Sequence, residues 1–135
     1  VEVKVKAPRD LSGAGRILFV EDEDAVRGIA ARLLRQRGYE VIEAADGEEA
    51  LMLAEEHAGQ IDMMISDVIM PGLDGPSLLK KARKYLGDAP VMFISGYAES
   101  DFSDLLQDEA GVSFLPKPLD IKTLAERVKQ ELHAG

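Results

Sequence analysis

Short apolar segments alternate five times with amphipathic helical segments along this chain, and this alternation constrains the fold more than any other feature. Apolar runs of four to six residues suit strands that are buried on both faces of a sheet. Alternating strands and helices predict a parallel sheet covered by helices on both sides. The predicted strands are residues 17–20, 39–44, 61–66, 90–94 and 112–115. The predicted helices are residues 24–37, 46–57, a segment opening near Pro76, residues 98–107 and residues 120–132.

Local signals support several helix boundaries. Asp46 with Glu49 three residues later is typical of a capping box at a helix start. Pro76 fits the first turn of a helix, and Gly38 suits a helix end. Helical spacing predicts that the first helix presents one apolar face made of Val26, Ile29, Ala30 and Leu33.

Right-handed crossovers place the carboxyl ends of all parallel strands at one edge of the sheet. The chain is therefore predicted to be a doubly wound α/β domain, with any ligand bound in the crevice at that edge. Its 135 residues are enough for one domain with its own core. We expect residues 1–15 to be a linker or tail and residues 16–133 to form the domain.

Composition excludes several classes of function. A net charge of -9 argues against nucleic acid as a partner, because phosphate contacts require clustered Lys and Arg. No apolar run approaches the roughly 20 residues that a membrane-spanning helix needs, so we expect no direct membrane contact. The absence of cysteine excludes disulfides and thiolate metal sites and fits a reducing, cytoplasmic compartment.

Polar side chains follow four of the five predicted strands. Glu21 and Asp22 follow the first strand, Asp67 the third, Ser95 the fourth and Lys117 the fifth. Each has an ordinary explanation when taken alone. The acids would favour a helix dipole, the serine would cap a turn, and the lysine would lie on the surface. Their occurrence in order at one sheet edge favours a functional site.

Three carboxylates in a partly desolvated crevice repel one another, so either their pKa values rise or a cation binds among them. A hard divalent ion held by carboxylates, a carbonyl and water is the Mg²⁺ pattern. Lys117 and Ser95 would complete a site for a tetrahedral anion, as phosphoryl transfer requires. Asp67 is the best-placed nucleophile and would form an acyl phosphate.

The segments ILFVEDED, ISDVIMPGLDG, FISGYA and FLPKPL resemble those of the receiver domain, the CheY-like phosphoacceptor module of two-component and phosphorelay signalling. The resemblance covers residues 16–132 and implies a five-stranded sheet of order 2-1-3-4-5 with five helices. By this resemblance Asp67 is the phosphorylated residue. Asp22 is a direct Mg²⁺ ligand, Glu21 acts mainly through water, and Ile69 supplies a backbone carbonyl to the metal.

The same resemblance implies roles for three residues at the far side of the site. Ser95 matches the switch hydroxyl, Lys117 the site lysine, and Phe114 the switch aromatic. The Lys117–Pro118 peptide bond matches one that is cis in the family. Ile69 is apolar and offers no group to position a hydrolytic water, so we expect moderate or slow loss of the phosphoryl group.

The implied partners carry phosphohistidine: the dimerisation and phosphotransfer domain of a histidine kinase, and a histidine phosphotransferase. We expect docking through the first helix, near Arg27, Gly28 and Ala31. The tail VEVKVK with PRDLSGAG resembles the end of a kinase domain in CckA-type hybrid histidine kinases. We therefore favour the C-terminal receiver of such a kinase, with no DNA-binding output domain, over a stand-alone regulator or a non-phosphorylated docking scaffold. The domain itself would catalyse only its own phosphorylation and dephosphorylation, although its parent protein would be a kinase.

Two other classes of protein fit less well. A phosphatase with an aspartate nucleophile normally has a second acid two residues later, where this chain has Ile69. A nucleotide-binding module would have a glycine-rich loop after the first strand, where this chain has EDED.

Overall fold

The computed structural model describes residues 15–96 and 111–133. These residues contain five strands and four helices. In chain order they are β1 (Arg16–Val20), α1 (Asp24–Gln36), β2 (Glu40–Ala44), α2 (Gly47–Glu56), β3 (Met63–Asp67), α3 (Gly75–Leu86), β4 (Val91–Ser95), β5 (Val112–Pro116) and α4 (Ile121–His133). The helix predicted over residues 98–107 lies outside the described residues, so the expectation of five helices stays a prediction.

The five strands form one parallel sheet of order β2-β1-β3-β4-β5, as predicted. Val20 at the end of β1 pairs with Ala44 on one side and Ser66 on the other. Asp67 pairs with Ile94 on β4. The register therefore brings the carboxyl ends of the central strands level with one another at one edge.

Each face of the sheet has its own apolar core. Alternate residues along a strand point to opposite faces, and β1 shows this with Ile17 and Phe19 on one side and Leu18 and Val20 on the other. Helices α2 and α3 cover the Leu18 face, whereas α1 and α4 cover the Ile17 face. Both faces are buried, as the continuous apolar runs of the strands predict.

The predicted inner face of α1 is partly wrong. Ala30, Ala31 and Leu34 are fully buried, but the Ile29 side chain is 58% exposed. Successive residues lie about 100° apart around a helix, so a buried stripe centred on the two alanines turns Ile29 towards solvent. The helix therefore packs on the sheet through Ala30, Ala31 and Leu34 rather than through Ile29.

Side-chain caps begin α2 and α3. The Glu49 amide donates to the Asp46 carboxylate at 2.8 Å, and the Glu49 carboxylate accepts from the Ala45 amide at 2.6 Å. Asp74 accepts from the Ser77 amide at 2.8 Å, with Pro76 in the first turn of α3. The predicted cap at Asp46 is confirmed, although the return bond of Glu49 reaches the amide one residue before the cap, and the predicted proline position is confirmed as well. Within the described ranges, no helix combines the length and apolar character needed to cross a membrane.

Candidate functional site

The described residues include four buried polar side chains, and three of them stand at the predicted strand ends. Glu21, Asp67 and Ser95 are 2%, 3% and 5% exposed. Asp67 is the last residue of β3 and Ser95 the last residue of β4. Both were expected just after their strands, so each strand is one residue longer at this end than predicted. Burying polar groups is unfavourable unless they are paired, so these side chains mark the sheet edge as a specialised site.

Three carboxylates meet at this edge. One oxygen from each of Glu21, Asp22 and Asp67 lies within 4.8 Å of the other two. Asp22 is exposed to solvent, whereas the other two are buried. Because Asp22 is exposed, an ion bound by these acids could keep water ligands, and hard divalent cations such as Mg²⁺ prefer this combination of carboxylates and water.

Glu21 is held in place by hydrogen bonds, and its pKa is raised. Its main-chain amide donates to the Ala44 carbonyl at 3.0 Å, and its carboxylate accepts from the Glu23 amide at 3.0 Å. Burial raises the pKa of Glu21 to about 7, and the Asp67 charge and a hydrogen bond with Asp22 add to this rise against the opposing Glu23 amide and Lys117. Near neutral pH the Glu21 carboxyl is therefore partly protonated, and a divalent cation bound there would compete with this proton.

Asp67 is paired with Lys117. The Lys117 Nζ donates to Asp67 Oδ2 at 2.7 Å, across 50 positions of sequence. Burial raises the pKa of Asp67 even though the lysine opposes this change. Burial would lower the pKa of Lys117, but the hydrogen bond and charge of Asp67 raise it. The lysine thus stays a full cation beside the buried carboxylate.

A cavity of about 250 Å³ opens beside this pair, lined by Asp67, Ile69, Ser95, Gly96 and Lys117. The Lys117 amide donates to the Ser95 carbonyl at 2.9 Å, which holds the end of β5 against β4. The Lys117–Pro118 bond is cis, as the resemblance implied. The Ile69 side chain is 53% exposed at the cavity, whereas the role expected for its carbonyl stays a prediction.

Close backbone packing holds the loop that follows Asp67. The Val68 amide donates to the Ile94 carbonyl at 3.1 Å, and the Gly75 amide donates to the Val68 carbonyl at 2.8 Å. A Cβ on Gly75 would lie 2.6 Å from the Asp67 carbonyl and 2.8 Å from the Phe93 ring. Only glycine therefore allows α3 to begin this close to the acidic strand end.

Phe114 lies on β5, which is separated from the Asp67 strand by β4. Its half-buried ring packs against the core beneath α2 and α3. The ring centroids of Phe93 and Phe114 are 5.9 Å apart and tilted by 39°. The Phe114 carbonyl accepts from Arg127 Nη1 on α4 at 3.3 Å. The Phe114 ring therefore packs on the α2 and α3 side of the sheet, and its main-chain carbonyl links β5 to the last helix.

The structure changes the interpretation of two residues expected at a docking surface. Ala31 is fully buried, so it cannot contact a partner. The Arg27 side chain is only 16% exposed, and it donates to the Glu21 carbonyl at 2.7 Å and to Asp24 at 2.7 Å. The spacing of Asp24 and Arg27 is typical of an ion pair within a helix, and this signal could have indicated that the arginine is already paired within the chain.

Comparisons with known proteins agree with this geometry. The family model described as the response regulator receiver domain matches residues 17–129. The chain is 50% identical over 131 residues to a sensor kinase CckA of Brucella abortus, covering 97% of this chain and 14% of that protein. The chain thus spans about one seventh of the length of that relative.

Solved structures show the same likeness. A crystal structure of the receiver domain from a hybrid histidine kinase CckA is 75% identical, with a TM-score of 0.79, covering 88% of this chain and 100% of that one. The chemotaxis protein CheY4 of Vibrio cholerae is 28% identical, with a TM-score of 0.78, covering 87% of this chain and 98% of that one. From its matched family model, its sheet order and the acids, hydroxyl and lysine at its strand ends, this chain belongs to the response regulator receiver domains of two-component signalling.

Proposed function

We propose that this receiver takes a phosphoryl group from a phosphohistidine onto Asp67, reversibly and with Mg²⁺. The observation that supports the proposal most strongly is the buried Asp67 carboxylate, 2.7 Å from the Lys117 ammonium and grouped with two further acids. A carboxylate kept from water beside a fixed cation suits nucleophilic attack on phosphorus.

The donors available fit Mg²⁺. Asp22 and Asp67 would bind the ion directly, Glu21 mainly through water, and Ile69 through its carbonyl. When bound, the ion neutralises the negative charge that accumulates between the acceptor and the phosphoryl oxygens. Mg²⁺ is usually held by one or two protein carboxylates, and Asp22 and Asp67 would supply two.

In the proposed transfer, an Asp67 oxygen attacks phosphorus in line with the imidazole nitrogen of the donor. The phosphorus–nitrogen bond breaks, a phosphorus–oxygen bond forms, and the imidazole leaves with the electron pair and takes up a proton. Lys117, already paired with Asp67, turns its ammonium to the incoming phosphoryl oxygens. The product is an acyl phosphate on the end of β3.

The proposed switch follows from charge at the cavity. Ser95 lines the cavity with Asp67, so its hydroxyl would bond to a phosphoryl oxygen. Phe114 is half-buried on the neighbouring strand, and a change of its ring position would alter the surface of β5 and α4 by packing alone, since phenylalanine has no hydroxyl. The charge of the phosphoryl group would thereby shift the balance between two conformations of the surface formed by β5 and α4.

We further propose that residues 16–133 form the receiver, that residues 1–15 are linker or tail, and that the setting is a cytoplasmic hybrid histidine kinase. The likeness to CckA sequences supports this setting. Its partners would be the phosphohistidine-bearing domain of the kinase and a histidine phosphotransferase. A stand-alone regulator is the alternative. A non-phosphorylated scaffold is less favoured because the acids, serine and lysine are all present.

Intact mass after incubation with acetyl phosphate and Mg²⁺ tests the chemistry. We expect one phosphoryl adduct that requires Mg²⁺ and is absent in Asp67→Asn. Asp74→Asn is the matched control, because asparagine also caps a helix and Asp74 lies in the same loop. An adduct that persists in Asp67→Asn, or its absence from the wild-type protein, would contradict the proposed acceptor.

A further inference from the structure

Arg27, which lies on α1, makes three polar contacts, and one of them is with the carbonyl of Glu21 just after β1. Its Nη1 donates to the Glu21 carbonyl at 2.7 Å, and its Nη2 donates to Asp24 Oδ1 at 2.7 Å. Its Nε lies 3.4 Å from Glu43 Oε1 on β2. With 16% of its side chain exposed, the guanidinium has little capacity left for an outside partner.

The Glu21 carbonyl belongs to the peptide unit that joins Glu21 to Asp22. Because this unit is planar, fixing the carbonyl direction also fixes the plane from which the Asp22 main chain continues. On the other side of Glu21, its amide donates to the Ala44 carbonyl at 3.0 Å. The main chain of the acidic pair is therefore held from both sides, by β2 and by Arg27.

We propose that Arg27 is a positioning residue for the cation site, which holds the Glu21–Asp22 peptide so that both carboxylates face Asp67. Asp24 and Glu43 orient the guanidinium for this contact. Groups that orient metal ligands commonly affect metal affinity strongly. The inference rests on the proposed Mg²⁺ site and adds a residue that touches neither the ion nor the phosphoryl group.

Arg35 provides a matched control on the same helix. Its Nη1 donates to Glu43 Oε2 at 2.9 Å, and its Nη2 donates to the Val41 carbonyl at 2.8 Å. Both arginines therefore bind the same glutamate and one main-chain carbonyl each. The two differ in where that carbonyl lies, since Val41 is near the start of β2 and Glu21 is in the site.

Isothermal titration calorimetry of the full chain with Mg²⁺ tests the inference. Thermal unfolding of every variant is measured alongside it. We expect Arg27→Ala to weaken Mg²⁺ binding about tenfold and Arg35→Ala to leave it within about twofold of the wild type. Arg27→Lys should lie between, because one ammonium keeps the charge but cannot span the carbonyl and both acids. A purely structural arginine would lower the unfolding temperature without this difference in affinity.

Wild-type affinity in Arg27→Ala, or equal weakening by Arg35→Ala, would overturn the inference. If Arg27→Ala does not fold, Arg27→Lys and Arg27→Gln decide by the same comparison with Arg35→Ala. If the wild-type chain itself binds no Mg²⁺, the proposed cation site fails, and the inference fails with it. That result differs from tight wild-type binding with no effect at Arg27, which would contradict the inference alone.

Discussion

Lys117 is the cation closest to the buried Asp67 carboxylate, at 2.7 Å. We predict that Lys117→Met slows adduct formation from acetyl phosphate by about a hundredfold, because one charged donor to the developing oxyanion is lost. The rate of adduct formation by intact mass measures this. Lys122→Met on α4 is the control, since Lys122 is exposed and does not line the cavity. Equal rates in the two variants would contradict the role given to Lys117.

Glu21 makes stability depend on pH in a direction unusual for a carboxylate. Its pKa is raised from 4.5 to about 7 in the folded chain. The folded state therefore holds more protons than the unfolded state between these values, and the free energy of unfolding falls as pH rises towards and through 7. Without Mg²⁺ we expect a loss of about 2 kcal/mol between pH 5 and pH 8 from this group.

Urea unfolding at several pH values measures this loss. Glu21→Gln, which does not titrate, should flatten the profile, and Mg²⁺ should restore stability at high pH because the cation takes the place of the proton. Wild-type and Glu21→Gln profiles of the same slope would count against the raised pKa.

At the scale of elements, the start of α3 is packed against the acidic strand end. A Cβ on Gly75 would lie 2.6 Å from the Asp67 carbonyl, whereas nothing lies within 4 Å of a Cβ on Gly28 in α1. We predict that Gly75→Ala destabilises the fold by about 2 kcal/mol through overpacking. Gly28→Ala should instead stabilise it by about 0.5–1 kcal/mol, since alanine is the better helix former. Thermal unfolding compares the two variants. If both were more stable than the wild type, the close approach of Gly75 to the Asp67 carbonyl would be refuted.

The strands could be predicted because each has a local signal, whereas their order in the sheet was implied by the resemblance to receiver domains. Five apolar runs separated by helical segments allow few parallel topologies, and the residue at each strand end then falls at one edge. This is why the sequence was enough to group four residues at one edge of the sheet: Glu21, Asp67, Ser95 and Lys117. Strand boundaries moved by one or two residues, as hydrogen bonding at strand ends depends on neighbours rather than on local sequence.

The orientation of α1 could not be predicted in the same way. Ile29 and Ala31 both suit an inner helix face by hydrophobicity, and the choice depends on how closely the helix packs on the sheet. Likewise, Arg27 is held inward by the Glu21 carbonyl and by Glu43 on β2, which both lie outside its own helix. Such contacts depend on tertiary arrangement, and a single sequence carries only a weak trace of them.

At the scale of the whole molecule, two exposed apolar side chains lie on opposite faces of the sheet. Ile29 on α1 is 58% exposed and Met52 on α2 is 60% exposed. Near the start of α1, Val26, Pro118 and Leu119 help to line a cavity of about 480 Å³ that also includes Glu21 and Lys117. This apolar surface beside Glu21 and Lys117 would suit the phosphohistidine domain proposed above, with Ile29 taking the place expected for Ala31.

We predict that Ile29→Asp slows transfer from a phosphorylated histidine phosphotransferase about tenfold, because a buried charge at an interface is unfavourable. Labelling by acetyl phosphate should not change, since that donor needs no docking surface. Met52→Asp serves as the control on the opposite face and should transfer at the wild-type rate. Slowing by both variants, or by neither, would argue against docking on α1.

Asp67 and Lys117 touch although 50 positions separate them in the sequence, and β4 runs between them. An unfolded chain keeps every reactive side chain of the site but brings none of them together. The capacity to accept phosphate is therefore lost with the fold, whereas the amino acids themselves remain. If Asp67 is the phosphorylated residue, as proposed, a partner that recognises phosphate on it would respond only to folded copies, and unfolded or incomplete receivers would give no signal.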